Sequence, residues 1–128
     1  MSTIENIEST LGTLESEVPS VIGTVIASQD GFVITDTLRG EDAEEIAAMV
    51  ATTTGVSERM SSTLSAGEVE ETSIKGTERS VFLYRAGEEA VLAVVAEADA
   101  NVGMINLQAR RATEEVETFL SDPAASDA

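Results

Sequence analysis

Residues 23–36 read Gly-Thr-Val-Ile-Ala-Ser-Gln-Asp-Gly-Phe-Val-Ile-Thr-Asp. Two apolar, β-branched segments flank Asp30-Gly31, a pair that tolerates the positive φ angles of a tight turn. The stretch therefore predicts a β-hairpin over about residues 21–36, closed by a two-residue Asp-Gly turn. A second hairpin is predicted near 79–97, with strands at 80–86 and 89–96 on either side of Gly87.

Three segments with apolar residues at helical spacing surround these hairpins. The first begins at Ser2, which can form a capping box with Glu5, and it ends before Pro19. The second begins at Asp42 and keeps its apolar stripe in phase across Gly55 to about residue 64, so one long helix is predicted. The third begins near residues 99–101.

Two strands indicate how the sheet is arranged. Residues 68–75 carry charges on both faces, which is typical of an edge strand. Residues 91–95 are apolar at every position, which indicates burial on both faces and therefore helices on both sides of the sheet. The predicted fold is α/β of the α+β type, a three-layer α/β/α sandwich. Its five-stranded sheet is mostly antiparallel, and the element order is α-β-β-α-β-β-β-α. Residues 1–120 form one domain, and residues 121–128 are predicted to be an acidic flexible tail.

The chain is strongly acidic. It has 24 acidic and 7 basic residues, a net charge of −17, and 42% hydrophobic residues, so it has enough apolar material for a core. The acids are dispersed along the whole chain and repel one another in dilute buffer. At about 1 M salt the screening length is only about 3 Å, and this repulsion largely disappears. The composition therefore predicts a salt-requiring fold from a halophilic, archaeon-like cytoplasm.

The composition also excludes several classes of site. The chain has no histidine and no cysteine, which excludes the common zinc sites and the Ser-His and Cys-His nucleophile systems. It has no phosphate-binding glycine motif, so no cofactor, no metal and no catalytic residue are predicted. Seven dispersed cations do not make a nucleic-acid surface, and no apolar run is long enough to span a bilayer. The sequence thus predicts a cytoplasmic binding protein and not an enzyme.

Five segments in order carry a family resemblance. The first is the hairpin at 18–31, in which valine, glycine and apolar residues precede Asp-Gly. The next three are the acidic, alanine-rich helix at 44–51, the polar strand at 67–76 and the apolar strand at 86–96. The last is the start of a helix at 100–104, where a small residue is followed by asparagine, an apolar residue and glycine. Over about residues 4–120 they resemble the roadblock/dynein light-chain superfamily. The resemblance implies that the middle helix covers one face of the sheet and the terminal helices cover the other.

The resemblance also implies a twofold homodimer in which middle helices pack together and edge strands join into one sheet. Such an interface needs a self-complementary patch. The candidate interface residues are Ile46, Met49, Val50, Thr53 and Met60 on the middle helix, and Val69, Glu71 and Ser73 on the edge strand. In the alternative interpretation, the helix residues face the chain's own sheet.

Prokaryotic members of this superfamily resemble regulators or partners of small Ras-like GTPases. The resemblance therefore implies a homodimeric, non-catalytic module that regulates or scaffolds such a GTPase. A structural adaptor without nucleotide-state preference is the alternative. A small-ligand sensor is a third possibility, because related α/β/α sandwiches bind metabolites, although the sequence shows no polar pocket.

Overall fold

A computed structural model describes residues 2–121 and contains the three helices and five strands that the sequence predicts. The elements are α1 (Thr3–Glu17), β1 (Val21–Ser28), β2 (Val33–Asp36), α2 (Ala43–Thr63), β3 (Thr72–Lys75), β4 (Arg79–Ala86), β5 (Ala90–Glu97) and α3 (Val102–Ser121). The predicted tail lies outside the described residues, except for Ser121, which ends α3.

The strands form one sheet in the order β2-β1-β5-β4-β3, and every neighbouring pair is antiparallel. Helices α1 and α3 pack on one face around Ile7, Leu11, Phe82 and Ile105. Helix α2 packs on the other face, where Val50 joins a second buried cluster with β1, β4 and β5. The predicted three-layer sandwich, with the middle helix alone on its face, is therefore confirmed.

The helix boundaries follow the capping signals. The Ser2 hydroxyl accepts from the Glu5 backbone N–H at 3.1 Å, and the Glu5 carboxylate accepts from the Ser2 N–H at 3.3 Å, which completes the predicted capping box. The Asp42 carboxylate accepts from the backbone N–H groups of Glu44 and Glu45 and caps α2. Helix α2 continues through Gly55 without a break, as its apolar phase predicts.

The first hairpin has the predicted strands but a different turn. Gly31 N–H donates to the Ser28 carbonyl at 3.0 Å, and Ser28 N–H donates to the Phe32 carbonyl at 2.8 Å. The loop therefore has three residues, and the predicted two-residue turn is wrong. Gly31 has a φ of +92° whereas Asp30 does not have a positive φ. A tight turn followed by one left-handed glycine closes such hairpins, and a single positive φ angle is then sufficient.

Edge strand β3 is shorter than predicted. Only Thr72–Lys75 pairs with β4, whereas the prediction extended the strand back to residue 68. Residues 68–71 leave the sheet, and the side chain of Glu71 contacts α3. The edge position of β3 is as predicted, with β2 at the opposite edge.

None of the helices in the described part of the chain is long and apolar enough to cross a bilayer.

Candidate interaction surface

The two faces of the sheet are covered unequally. Five strands about 4.8 Å apart make a sheet about 20 Å wide, whereas a helix with its side chains is about 10 Å across. Two helices cover the α1–α3 face, but α2 alone lies on the other face and packs mainly against β1. Helix α2 reaches β4 at Leu83 and Arg85, whereas β3 and the neighbouring start of β4 are left without a helix above them.

An apolar groove of about 310 Å³ lies between α2 and this uncovered part of the sheet. Four of the predicted interface residues line it together, namely Ile46, Met49, Val50 and Thr53. The floor comes from Val81 and Leu83 of β4, Ala93 and Val95 of β5, and Ile74 of β3. Val50 is only 5% exposed and belongs to the intrachain core, so the alternative interpretation holds for this residue.

An exposed apolar stripe runs along α2 from Met49, which lines the groove, to the end of the helix. Met49, Val56, Met60 and Leu64 follow one another at steps of seven, four and four residues, which keeps them on one side of the helix. Between 53% and 72% of each side chain is exposed, and Ile74 on β3 is 54% exposed beside them. We call these five residues the α2–β3 surface. Patches of this kind mark interaction sites when they are contiguous.

Three residues of the α2–β3 surface are missing from the predicted interface. Val56 and Leu64 belong to the same helical stripe as Met49 and Met60, so helical spacing groups them with the predicted residues but does not tell exposed positions from core positions. Ile74 is the only large apolar residue of β3, and its register opposite Val81 places it on the α2 face.

The other four predicted residues meet in a second groove of about 560 Å³. Met60, Val69, Glu71 and Ser73 line it, between the end of α2 and residues 66–73. Their side chains do not all face α2. Ser73 pairs with Phe82, a residue of the α1–α3 core, and therefore lies on the α1–α3 face. Glu71 also turns toward α3.

The second half of α2 is held to the sheet by an ion pair. The Glu58 carboxylate accepts from Arg85 Nε at 2.8 Å and from Arg85 Nη2 at 2.9 Å. These hydrogen bonds, which are the larger cause, and the charge of Arg85 hold the pKa of Glu58 below its ordinary value of 4.5, although desolvation opposes them.

We expect this ion pair to make a small contribution to stability that depends on pH. Because the folded-state pKa of Glu58 is lowered, the contribution is present above about pH 4.5 and is lost as the pH falls through the folded-state pKa. Glu58→Gln should lower the free energy of unfolding at pH 7 by less than about 1 kcal/mol, since both side chains are about a third exposed. Urea titrations at constant ionic strength should show this difference shrinking toward pH 3.

The control is Glu114→Gln, which removes an exposed carboxylate that has no ion pair among residues 2–121. A difference between wild type and Glu58→Gln that stays constant from pH 7 to pH 3 would contradict the assignment.

Comparison with known proteins is consistent with the three-layer fold described above. A family model described as the Roadblock/LC7 domain matches residues 9–96, which include the first hairpin, α2 and the second hairpin. The chain belongs to the Roadblock/LC7 family. The Methanocaldococcus jannaschii protein MJ1340 is 31% identical over 105 residues, covering 81% of this chain and 91% of that protein. A second protein of that organism, MJ0714, is 34% identical over 100 residues, covering 77% and 84%.

Solved structures share the fold of this family member. The gliding protein MglB from Thermus thermophilus superposes with a TM-score of 0.86 at 19% identity and covers 95% of this chain and 93% of that chain. A Roadblock/LC7 domain from Streptomyces avermitilis gives 0.82 at 21% identity, with coverage of 88% and 96%. The Roadblock/LC7 domain is a non-catalytic binding and regulatory domain, and this chain is accordingly not an enzyme.

Proposed function

We propose that the protein is a homodimeric binding module that regulates or scaffolds a small Ras-like GTPase. The observation that carries the homodimer is the uncovered half of the α2 face. The open space is about one helix wide, and α2 of a second copy has both the length and the exposed apolar stripe to occupy it. A twofold axis beside β3 would place each α2 over the neighbouring half of a continuous sheet.

The composition of the α2–β3 surface supports the second copy as the occupant. The stripe on α2 and Ile74 on β3 are apolar on both sides of the groove, so the surface is complementary to itself. Two charged residues, Glu41 and Arg79, line the groove with their side chains about half exposed, and Arg79 Nη1 pairs with Glu41 Oε1 at 3.4 Å. Apolar centres with polar rims are usual in stable interfaces.

The GTPase role is supported by family membership together with the resemblance of prokaryotic roadblock proteins to GTPase regulators. A module without catalytic groups can still act on a GTPase by binding one nucleotide state of its switch loops better than the other. Location in the cytoplasm, where such GTPases act, is part of the same proposal.

The structural adaptor is the second candidate, and the free edge of β3 favours it. Among residues 2–121, strand β3 has no neighbour other than β4, so its outer edge can accept an extended segment from another protein. This mode of binding has no dependence on nucleotide.

The experiment is capture of partners from a native extract at molar KCl, with either GDP or a non-hydrolysable GTP analogue added. We expect a Ras-like GTPase to be enriched in one nucleotide condition, and the enriched GTPase can then be used in a hydrolysis assay. A GTPase bound equally in both conditions would favour the scaffold. Other proteins without a GTPase would favour the adaptor.

A further inference from the structure

A chain of polar side chains joins the start of β3 to α3. Asn106 Nδ2 donates to Glu71 Oε1 over 3.3 Å, and the hydroxyl of Tyr84 on β4 donates to Asn106 Oδ1. Arg110 Nη2 lies 4.0 Å from the same Glu71 oxygen. We call these four residues the Glu71 clamp. The clamp links β4, α3 and the segment that leads into β3.

Three of the four clamp residues lie largely away from solvent, whereas the Arg110 side chain is about half exposed. Tyr84 is buried, and Asn106 and Glu71 are half-buried. Burial, and to a lesser extent the charge of Glu71, raise the pKa of Tyr84 well above its ordinary value, while Arg110 opposes this shift. The hydroxyl therefore keeps its proton and remains a donor. Breaking such a partly buried network leaves polar groups without partners, which costs more than the loss of an exposed hydrogen bond.

Strand β3 needs an anchor of this kind. It has only four residues and a single neighbouring strand, and Ser73, Ile74 and Lys75 are all exposed. Short edge strands with few buried contacts open easily. The segment between α2 and β3 has no regular secondary structure after the end of the helix, so α2 does not fix the position of the strand through a short turn.

We propose that the Glu71 clamp positions β3, so that Ile74 and the free strand edge are held in the geometry onto which the second copy docks. The role of the clamp in docking rests on the homodimer proposed above, whereas its hold on β3 does not. Glu71 is in this view a positioning residue that acts from the α3 side, and its side chain is not itself an interface contact.

The test exchanges the donor and the acceptor of the hydrogen bond between Asn106 and Glu71 in two steps. Asn106→Asp places a second carboxylate about 3.3 Å from that of Glu71 and removes the donor. Hydrogen exchange of the amides of residues 72–75 should become about tenfold faster, and the dimer dissociation constant should rise about tenfold. Adding Glu71→Gln supplies an amide donor that can bind the new carboxylate at position 106. This double variant should return both quantities to within about threefold of wild type.

Leu107→Glu is the control, because it adds one negative charge at the adjacent position on the exposed side of α3. It should change neither quantity. Exchange at residues 72–75 is also measured in the Met49→Glu background, in which the homodimer is expected to be absent. If Asn106→Asp does not fold, Tyr84→Phe removes only the hydroxyl donor and should shift both quantities in the same direction.

Unchanged exchange at residues 72–75, or faster exchange that the double variant does not reverse, would overturn the clamp. Faster exchange with an unchanged dissociation constant would overturn its role in docking. A wild-type protein that stays monomeric at every concentration would instead contradict the homodimer, and the exchange result would still decide whether the clamp holds β3.

Discussion

Replacing Met49 or Met60 with glutamate is expected to leave the protein monomeric. The two side chains are 53% and 59% exposed on the α2–β3 surface of the single chain, and the proposed homodimer buries them. Each buried, unpaired carboxylate costs about 3–5 kcal/mol and a twofold interface buries two of them, so the dissociation constant should rise by a factor of at least roughly 10³. Light scattering coupled to gel filtration in molar KCl should therefore give the mass of one chain, 13.4 kDa.

Leu107→Glu is the matched control for this prediction. Leu107 is 60% exposed, lies in a helix and is apolar, but it belongs to α3 on the opposite face of the sheet. This variant should keep the wild-type mass. The free energy of unfolding of each monomer should change by no more than about 0.5 kcal/mol, because all three positions are exposed. A dimer that persists in both Met49→Glu and Met60→Glu would contradict the α2–β3 interface.

The second large effect is the dependence of folding on salt. The net charge of −17 is distributed over 128 residues, and like charges that compaction brings together oppose folding. We expect the thermal midpoint to rise by more than about 10 °C between dilute buffer and molar KCl, which corresponds to a few kcal/mol. Calorimetry or circular dichroism at several KCl concentrations measures this thermal midpoint.

A charge-reduced variant separates screening from other effects of salt. Replacing Glu88, Glu89, Glu114 and Glu115 with glutamine removes four exposed carboxylates and changes the net charge from −17 to −13. The midpoint of this variant should depend less steeply on KCl, with the gain over wild type greatest in dilute buffer. Equal midpoints of the wild-type protein in dilute and molar KCl would exclude the salt requirement.

The parts of the fold that the sequence predicts correctly have local causes. The cap at Ser2, the cap at Asp42 and the unbroken phase of α2 each depend on residues within a few positions of one another, and each is confirmed. The two segments on either side of Gly87 likewise identify β4 and β5 before any tertiary contact is known. Family resemblance then adds which helices cover each face of the sheet.

The errors have long-range causes. The strand before Lys75 is shorter than its sequence pattern, and where the chain leaves the sheet Glu71 accepts a hydrogen bond from Asn106, which lies 35 positions away. The turn at Gly31 depends on how β1 and β2 align, and the Asp-Gly pair permits more than one alignment.

The candidate surface was only partly predictable for a similar reason. Met49 and Val50 are neighbours in one apolar pattern, yet Met49 is exposed and Val50 is buried. The difference arises because α2 lies mainly over β1 and leaves β3 and the start of β4 uncovered, and this offset is a property of the packed sheet. The same offset exposes Val56 and Leu64, which helical spacing alone does not distinguish from core residues.

Cysteine cross-linking tests the central claim, that two copies meet through the α2–β3 surface, most directly. The chain has no native cysteine, so single variants such as Met49→Cys, Val56→Cys and Met60→Cys each introduce one thiol. A disulfide needs the two Cα atoms to be about 4.4–6.8 Å apart, and residues near a twofold axis approach their own copies. Under mild oxidation in molar KCl, we predict nearly complete cross-linking for at least one of these variants and none for Leu107→Cys. Absence of cross-linking at all three α2 positions, or equal cross-linking at position 107, would contradict the account.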